Sequence, residues 1–303
     1  MSAYFTSPSK TAPNTFVDQL FDWKTTQPKK FKSASTGILA RPDTPNDAPR
    51  VPELSARWCE IGVPLADLKI EPNDNARIET QALYGDAVRV LCTIGDYHHV
   101  ELRYDGCVGY VKDSFLRPQS PPATHRVTAP LTFVYPCLSF KSKPIATLPM
   151  NARVHIIEEH EKYMRFTEGF VHREHLASVD FREVDWVEVA ERFMTSPYLW
   201  GGITALGIDC SGLVQAALRA ASITAPRNAA EQERSLGWAI PKDSMLSRGD
   251  LLFWRGHIGI MRDSQTLLHA NATTMLVSSE NIDLVRQRYS QNGAGDVTSV
   301  RRL

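Results

Sequence analysis

The sequence predicts an α+β protein in which two small β-barrels precede a larger domain of helices packed on an antiparallel sheet. Three observations carry this expectation. Strand-like segments repeat imperfectly between residues 86 and 176, helical periodicity takes over from residue 183, and a cysteine opens an amphipathic helix ahead of two strand-borne histidines.

The 303 residues are enough for two or three domains, and 43% apolar with 22% charged residues is ordinary for a globular chain. A formal net charge of +0 speaks against nucleic acid or an anionic membrane as partner. No apolar run reaches the ~18–20 residues of a membrane span. The opening "MSAYFTSPSKTAPNTFVDQL" has no continuous apolar stretch of the secretory kind. The five cysteines show no CxxC and no metal spacing. Reduced thiols and a cytoplasmic location are the simplest expectation, with a periplasmic or secreted location the alternative if a signal has been removed. Residues 1–61 hold seven of the 19 prolines and are expected to form an arm or linker.

The repeat defines the barrels. Val88, Val90, Tyr97 and Val100 recur 66 residues on as Val154, Ile156, Tyr163 and Phe166. Gly109-Tyr110-Val111 and Leu116 recur 60 residues on as Gly169-Phe170-Val171 and Leu176, so the six-residue difference falls around "RYDGC". Period-two alternation between charged or glycine turns marks short strands, expected to form barrels at 62–119 and 124–180. "GYV" and "GFV", each followed by a polar turn and Leu, resemble the last strand of bacterial SH3-like domains.

In the domain expected over 183–303, "DWVEVAERFM" reads as a helix behind an Asp185-x-x-Glu188 capping box, stopped by Pro197. Apolar positions 213, 214, 217, 218 and 221 predict a second helix at about 210–222 with Asp209 as its N-cap. Cys210 then lies at a first turn, where free N–H groups and the helix dipole favour a reactive thiolate. A small buried residue filling a helix–strand gap is the other reading of that position. "GDLLFWRGHIGIMRD" and "TLLHANA" predict antiparallel strands turning about Asp263, which sets His257 opposite His269 on one sheet face. A thiolate nucleophile needs an imidazole base, and the base needs an orienting partner.

With these residues assembled, Tyr198, Trp200-Gly201-Gly202, Gly207, the "DCSGLV" element from Asp209, Pro226-Arg227, Gln232, "RGDLLFW", "HIGI" and "LLHAN" resemble the NlpC-type cell-wall cysteine peptidases. With two SH3-like segments ahead, the chain from about residue 62 is similar to that family's γ-D-glutamyl-L-diamino acid endopeptidases. The resemblance implies a papain-like α+β core with Cys210 as nucleophile, His257 as base and acid, and His269 as its orienter. It also implies that the Tyr198 hydroxyl supports the oxyanion and that Asp209 and Ser211 line the cleft. Neither a metal nor an organic cofactor is implied. The first barrel would close one end of the cleft, with Glu79 meeting the free L-Ala amine of L-Ala-γ-D-Glu-diamino acid stem peptides released for recycling. Cys107 stands where related chains carry a tyrosine in that recognition. Another thiol-dependent amidase or acyltransferase, or a non-catalytic wall-binding protein, are the rival functions. The intact Cys210, His257 and His269 weigh against the last.

Overall fold

Between residues 57 and 118, runs of alternating apolar and polar side chains become strands: β1 (Arg57–Ile61), β2 (Leu65–Lys69), β3 (Ile78–Leu83), β4 (Ala87–Ile94), β5 (Tyr97–Leu102), β6 (Val108–Lys112) and β7 (Leu116–Pro118). They pair antiparallel in the order β3-β2-β6-β5-β4-β1-β7. The inward set, among it Ile61, Leu68, Val88, Val100 and Val111, fills the space between them. The computed structural model describes residues 57–293 and 295–303. The part of the expected arm before residue 57 lies outside the described residues. Arg57–Ile61, assigned to that arm, is instead a strand between β4 and β7. Its only inward positions are Cys59 and Ile61, a signal too short to stand out beside the prolines.

Residues 125–178 hold β8 (His125–Val127), β9 (Leu131–Val134), β10 (Ala146–Pro149), β11 (Arg153–Val154), β12 (Glu158–Glu159), β13 (Tyr163–Phe166), β14 (Gly169–His172) and β15 (Leu176–Ser178). Three small sheets close over Val127, Val134, Leu148, Phe166 and Val171. The repeat is visible in space. β5-β6 and β13-β14 are each followed by one turn of 3-10 helix, Asp113–Phe115 or Arg173–His175, and then by a strand opening at Leu116 or Leu176. The pairs Val88/Val154, Val100/Phe166 and Val111/Val171 are all buried. The six extra residues of the first copy lengthen β5, its turn and the start of β6.

From residue 183, α1 (Trp186–Glu191) starts where the Asp185 carboxylate accepts from the Val187 and Glu188 N–H groups. The two-residue strands β16 (Ile203–Thr204) and β17 (Gly207–Ile208) lead into α2 (Cys210–Ala220), followed by α3 (Ala229–Ser235). An antiparallel sheet follows: β18 (Trp238–Ile240), β19 (Leu251–Trp254), β20 (His257–Met261), β21 (Thr266–Asn271), β22 (Leu276–Asn281) and, after α4 (Ile282–Gln291), β23 (Ser299–Arg302). Its order is β18-β23-β19-β20-β21-β22. α2 packs on β20 and β21, with every residue buried except Arg219, as expected for a helix enclosed on all sides. Among the described residues, no helix is long and apolar enough to cross a membrane.

Both preceding regions grip α2. Arg219 pairs with Asp86 of the first sheet, both side chains under 10% exposed. Gln215 donates to Asp105 at 2.8 Å. From the second region, Asn151 donates to the Ala216 carbonyl at 2.9 Å and Arg126 to the Ala220 carbonyl at 2.7 Å. The Ala220 carbonyl is at the last residue of α2 and has no partner within the helix, so Arg126 and the Glu183 N–H complete its end, while Asn151 adds a bond one turn earlier. Removing one member of a buried pair strands the other charge. Asp86→Ala is therefore expected to lower unfolding free energy by about 3–5 kcal/mol, read from urea midpoints. A change within experimental error would show that solvent already reaches the pair.

Candidate active site

The site is organised by the residue before the cysteine. Asp209 holds an extended backbone, and its Oδ1 accepts from the Gly212 N–H at 2.7 Å, which starts α2 at Cys210. Gly212 is required there, because a Cβ would sit 2.2 Å from the Gly202 carbonyl oxygen. The same carboxylate accepts from the Gly201 N–H at 2.9 Å, the Ser211 hydroxyl at 3.1 Å and Arg227 at 2.9 and 2.7 Å. Arg227 reaches on to Thr80 Oγ1 on β3, at 2.8 Å. Asp209 and Ser211, expected on the cleft wall, are thus buried and bonded inward. They shape the turn, and their polar atoms are committed to Arg227 and the backbone.

The Cys210 sulfur meets the backbone N–H groups of Ile258 and Ser211, which favour its thiolate. Burial acts more strongly, followed by the Asp209 charge, and together they push the thiol up to about 12. Burial, then His269, lowers His257 well below the ordinary imidazole value. Burial of both side chains thus favours the neutral thiol and imidazole, and opposes the helix-start effect that favours a thiolate. Desolvation wins because the whole side chain is enclosed. In the free protein at pH 7, iodoacetamide is expected to label the exposed Cys137 before Cys210. Labelling of Cys210 should then accelerate ~tenfold per pH unit up to pH 9. A plateau near neutrality in peptide maps would contradict this.

His257 and His269 meet, but not as direct opposites. Ile260 pairs with Leu268 and Met261 with Leu267, so the register is two residues from the expected one and His257 lies diagonal to His269. The cause is the turn. Asp263 accepts from both the Gln265 and Thr266 N–H groups, and Arg262 bonds Thr266, which centres the reversal on Ser264. A shift of two preserves the face. His257 Nε2 lies 2.9 Å from His269 Nδ1. His269 Nε2 lies 2.9 Å from Glu280 Oε1 on β22, and Arg288 of α4 clasps the Glu280 carboxylate. Tyr289 stacks on His257, with centroids 5.0 Å apart. Tyr198 packs into the core that holds Cys210. Burial and then the neighbouring thiol raise its hydroxyl pKa, so it stays protonated and able to donate.

Glu79 falls elsewhere. It lines a cavity of about 430 Å³ whose walls come from both the first barrel and the domain after residue 183: Lys69, His99, Asp105, Cys107 and Tyr110 on one side, Arg227, Asn228 and Glu231 on the other. Cys210 is not on that lining. Arg227 connects the two places, since it faces the cavity and holds Asp209. The sequence reading assigned no role to Arg227, Glu231, Glu280 or Arg288. Glu280 had a signal: His269 pairs with Ser278, and residue 280 is two further along on the same face. Among the described residues, no group of three or more His, Cys, Asp or Glu is arranged around a metal position.

Comparison with known proteins bears on this arrangement. Residues 195–295 match the NlpC/P60 family and residues 70–116 the bacterial dipeptidyl-peptidase SH3 domain. A γ-D-glutamyl-L-lysine dipeptidyl-peptidase of Bacillus subtilis is 28% identical over 221 residues, covering 65% of this chain and 73% of the relative. A protein of the same description from Bacillus cereus is 26% identical over 254 residues, covering 75% of each chain. The crystal structure of an NlpC/P60 family protein from Bacillus cereus superposes with a TM-score of 0.69 at 20% identity, over 81% of this chain and 99% of that one. At that identity the likeness is one of fold.

Proposed function

Given that the chain carries an NlpC/P60 cysteine peptidase domain behind a bacterial SH3 domain, we propose that it hydrolyses the γ-D-glutamyl-L-diamino acid bond of free peptidoglycan stem peptides bearing an N-terminal L-Ala. The two Bacillus relatives named for γ-D-glutamyl-L-lysine cleavage support the bond chosen. The observation that carries the preference for free peptides is the cavity walled jointly by the first barrel and the loop after α2, with carboxylates from both sides. In this reading the carboxylates Glu79, Asp105 and Glu231 receive the free ammonium group of the peptide, a charge that a glycan-linked chain lacks. The reading places the enzyme with released peptides, in the cytoplasm, rather than on intact wall.

In this reading Cys210 Sγ attacks the γ-glutamyl carbonyl carbon while its proton passes to His257. The carbonyl π electrons move onto oxygen, where the Tyr198 hydroxyl and the Cys210 N–H, a first-turn donor without an intrahelical acceptor, receive the charge. Collapse breaks the C–N bond, and the leaving amine takes the proton from His257. Water, deprotonated by the same imidazole, then cleaves the thioester and restores the thiol. The test is incubation of the full chain with L-Ala-γ-D-Glu-diaminopimelate and its lysine counterpart, followed by mass spectrometry. L-Ala-D-Glu and the free diamino acid are the expected products. Cleavage at another bond, or acyl transfer to an added amine without hydrolysis, would reject the assignment.

A further inference from the structure

A three-member arrangement of cysteine and two histidines leaves one question open, namely what decides which nitrogen of each ring carries the proton. Glu280 lies at the far end of the row. Its carboxyl is held down at about 2, by the hydrogen bond from His269 first and by Arg288 as well, so it is ionised at every working pH. A carboxylate can only accept, so His269 Nε2 must carry a proton. With one proton on that ring, Nδ1 is an acceptor, and the 2.9 Å contact is satisfied only if His257 Nε2 donates. His257 Nδ1 then holds a lone pair, the form a base for the thiol requires. The other groups facing the two rings do not compete for these nitrogens. Tyr289 stacks its ring on His257, Trp254 lies tilted to it with its indole N–H bonded to neither imidazole, and Arg288 is engaged with Glu280. Burial raises the Tyr198 hydroxyl and the Cys210 thiol and so favours their neutral forms.

We propose that Glu280, anchored by Arg288, is a positioning residue that fixes the tautomers of both histidines and so presents the His257 lone pair to Cys210. The proposal rests on the roles given above to Cys210 and His257. It also implies that Glu280 stabilises the imidazolium formed when His257 takes the thiol proton, through the intervening ring.

The experiment is 15N NMR of ring-labelled histidines in the full chain, together with pH profiles of kcat/KM, for wild type, Glu280→Gln, Glu280→Leu and Arg288→Leu. In wild type both rings should show the Nε2–H tautomer. Glu280→Gln can still accept through its amide oxygen, so the tautomers should persist. Its plateau should fall by about 10-fold, and its acid limb should move to lower pH because the negative charge is lost. Glu280→Leu should mix the tautomers and lower kcat by about 100-fold with little change in KM. A merely structural role would move neither the tautomers nor the acid limb. A wild-type His257 protonated at Nδ1, or a Glu280→Leu protein with unchanged tautomers and acid limb, would overturn the proposal. If Glu280→Leu does not fold, Glu280→Gln and Arg288→Leu still report, and an acid limb unmoved in both is the overturning result. The NMR arm needs no turnover. It is therefore separate from failure of the peptidase reading, which Cys210→Ala tests.

Discussion

Replacing Cys210 with alanine is expected to leave a folded protein whose turnover falls by about 10⁴-fold or more, to the floor of detection. The substitution removes one sulfur atom from a helix start that alanine tolerates. The cap is unaffected, because Asp209 bonds Gly212 and Arg227 rather than the thiol. What disappears is the thiol bonded by the backbone N–H of Ile258, the residue after His257. His257→Ala should cost a similar factor, and the double variant little more than either, because the two act as a unit. Product formation by mass spectrometry, with thermal melts as the folding control, decides the matter. Turnover by folded Cys210→Ala above one hundredth of wild type would reject the nucleophile.

The second large effect concerns the N-terminal amine of the substrate. In the proposed complex an ammonium enters the cavity and meets Glu79 from β3 and Glu231 from α3. Acetylating the alanine removes the charge, adds bulk in the cavity and leaves the carboxylates without their partner. Glu231 is exposed and Glu79 partly so in the free protein; where the bound peptide covers them, losing one member of the pair costs about 3–5 kcal/mol. At ~1.4 kcal/mol per decade, kcat/KM should be lower by roughly two to four orders of magnitude for the N-acetyl tripeptide. Glu79→Gln should narrow that gap by slowing only the free peptide, and Glu79→Gln with Glu231→Gln should nearly close it. Equal rates on free and capped peptides in wild type would sink the gated pocket. A full preference surviving in the double variant would move the amine contact to Asp105, which also faces the cavity.

How much of this was legible in the sequence depends on how local the determinant is. The start of α2 was, because Asp209 caps it through a contact three residues away. The repeat was too, because its buried positions recur at fixed offsets. The histidine pair was legible as to face but not as to register, since the register is set by where Asp263 closes its turn. Strand β1 went unnoticed because two inward residues cannot outweigh a proline-rich neighbourhood. The opposing effect of burial on the thiol was not legible, because helix position is a local property whereas burial of Cys210 is assembled from β20, α1 and the turn at residues 198–208. The Arg227 bridge spans 147 residues to Thr80, and nothing in the linear chain announces a contact of that length.

The grip on α2 has a consequence for how such a protein can be taken apart, in the laboratory or in evolution. Four donors and acceptors bonded to α2 belong to residues 86, 105, 126 and 151, all upstream of the peptidase domain. Cutting the chain at residue 183 would remove the upstream donors to the Ala216 and Ala220 carbonyls and leave the buried Arg219 guanidinium without Asp86. The excised peptidase should therefore precipitate or melt far below the whole chain, and the intact protein should melt in a single calorimetric transition. The barrels are thus not interchangeable attachments that recombination could swap for other wall-targeting modules. They form part of the interior of the enzyme, and the unit that must be inherited together runs from β1 to β23.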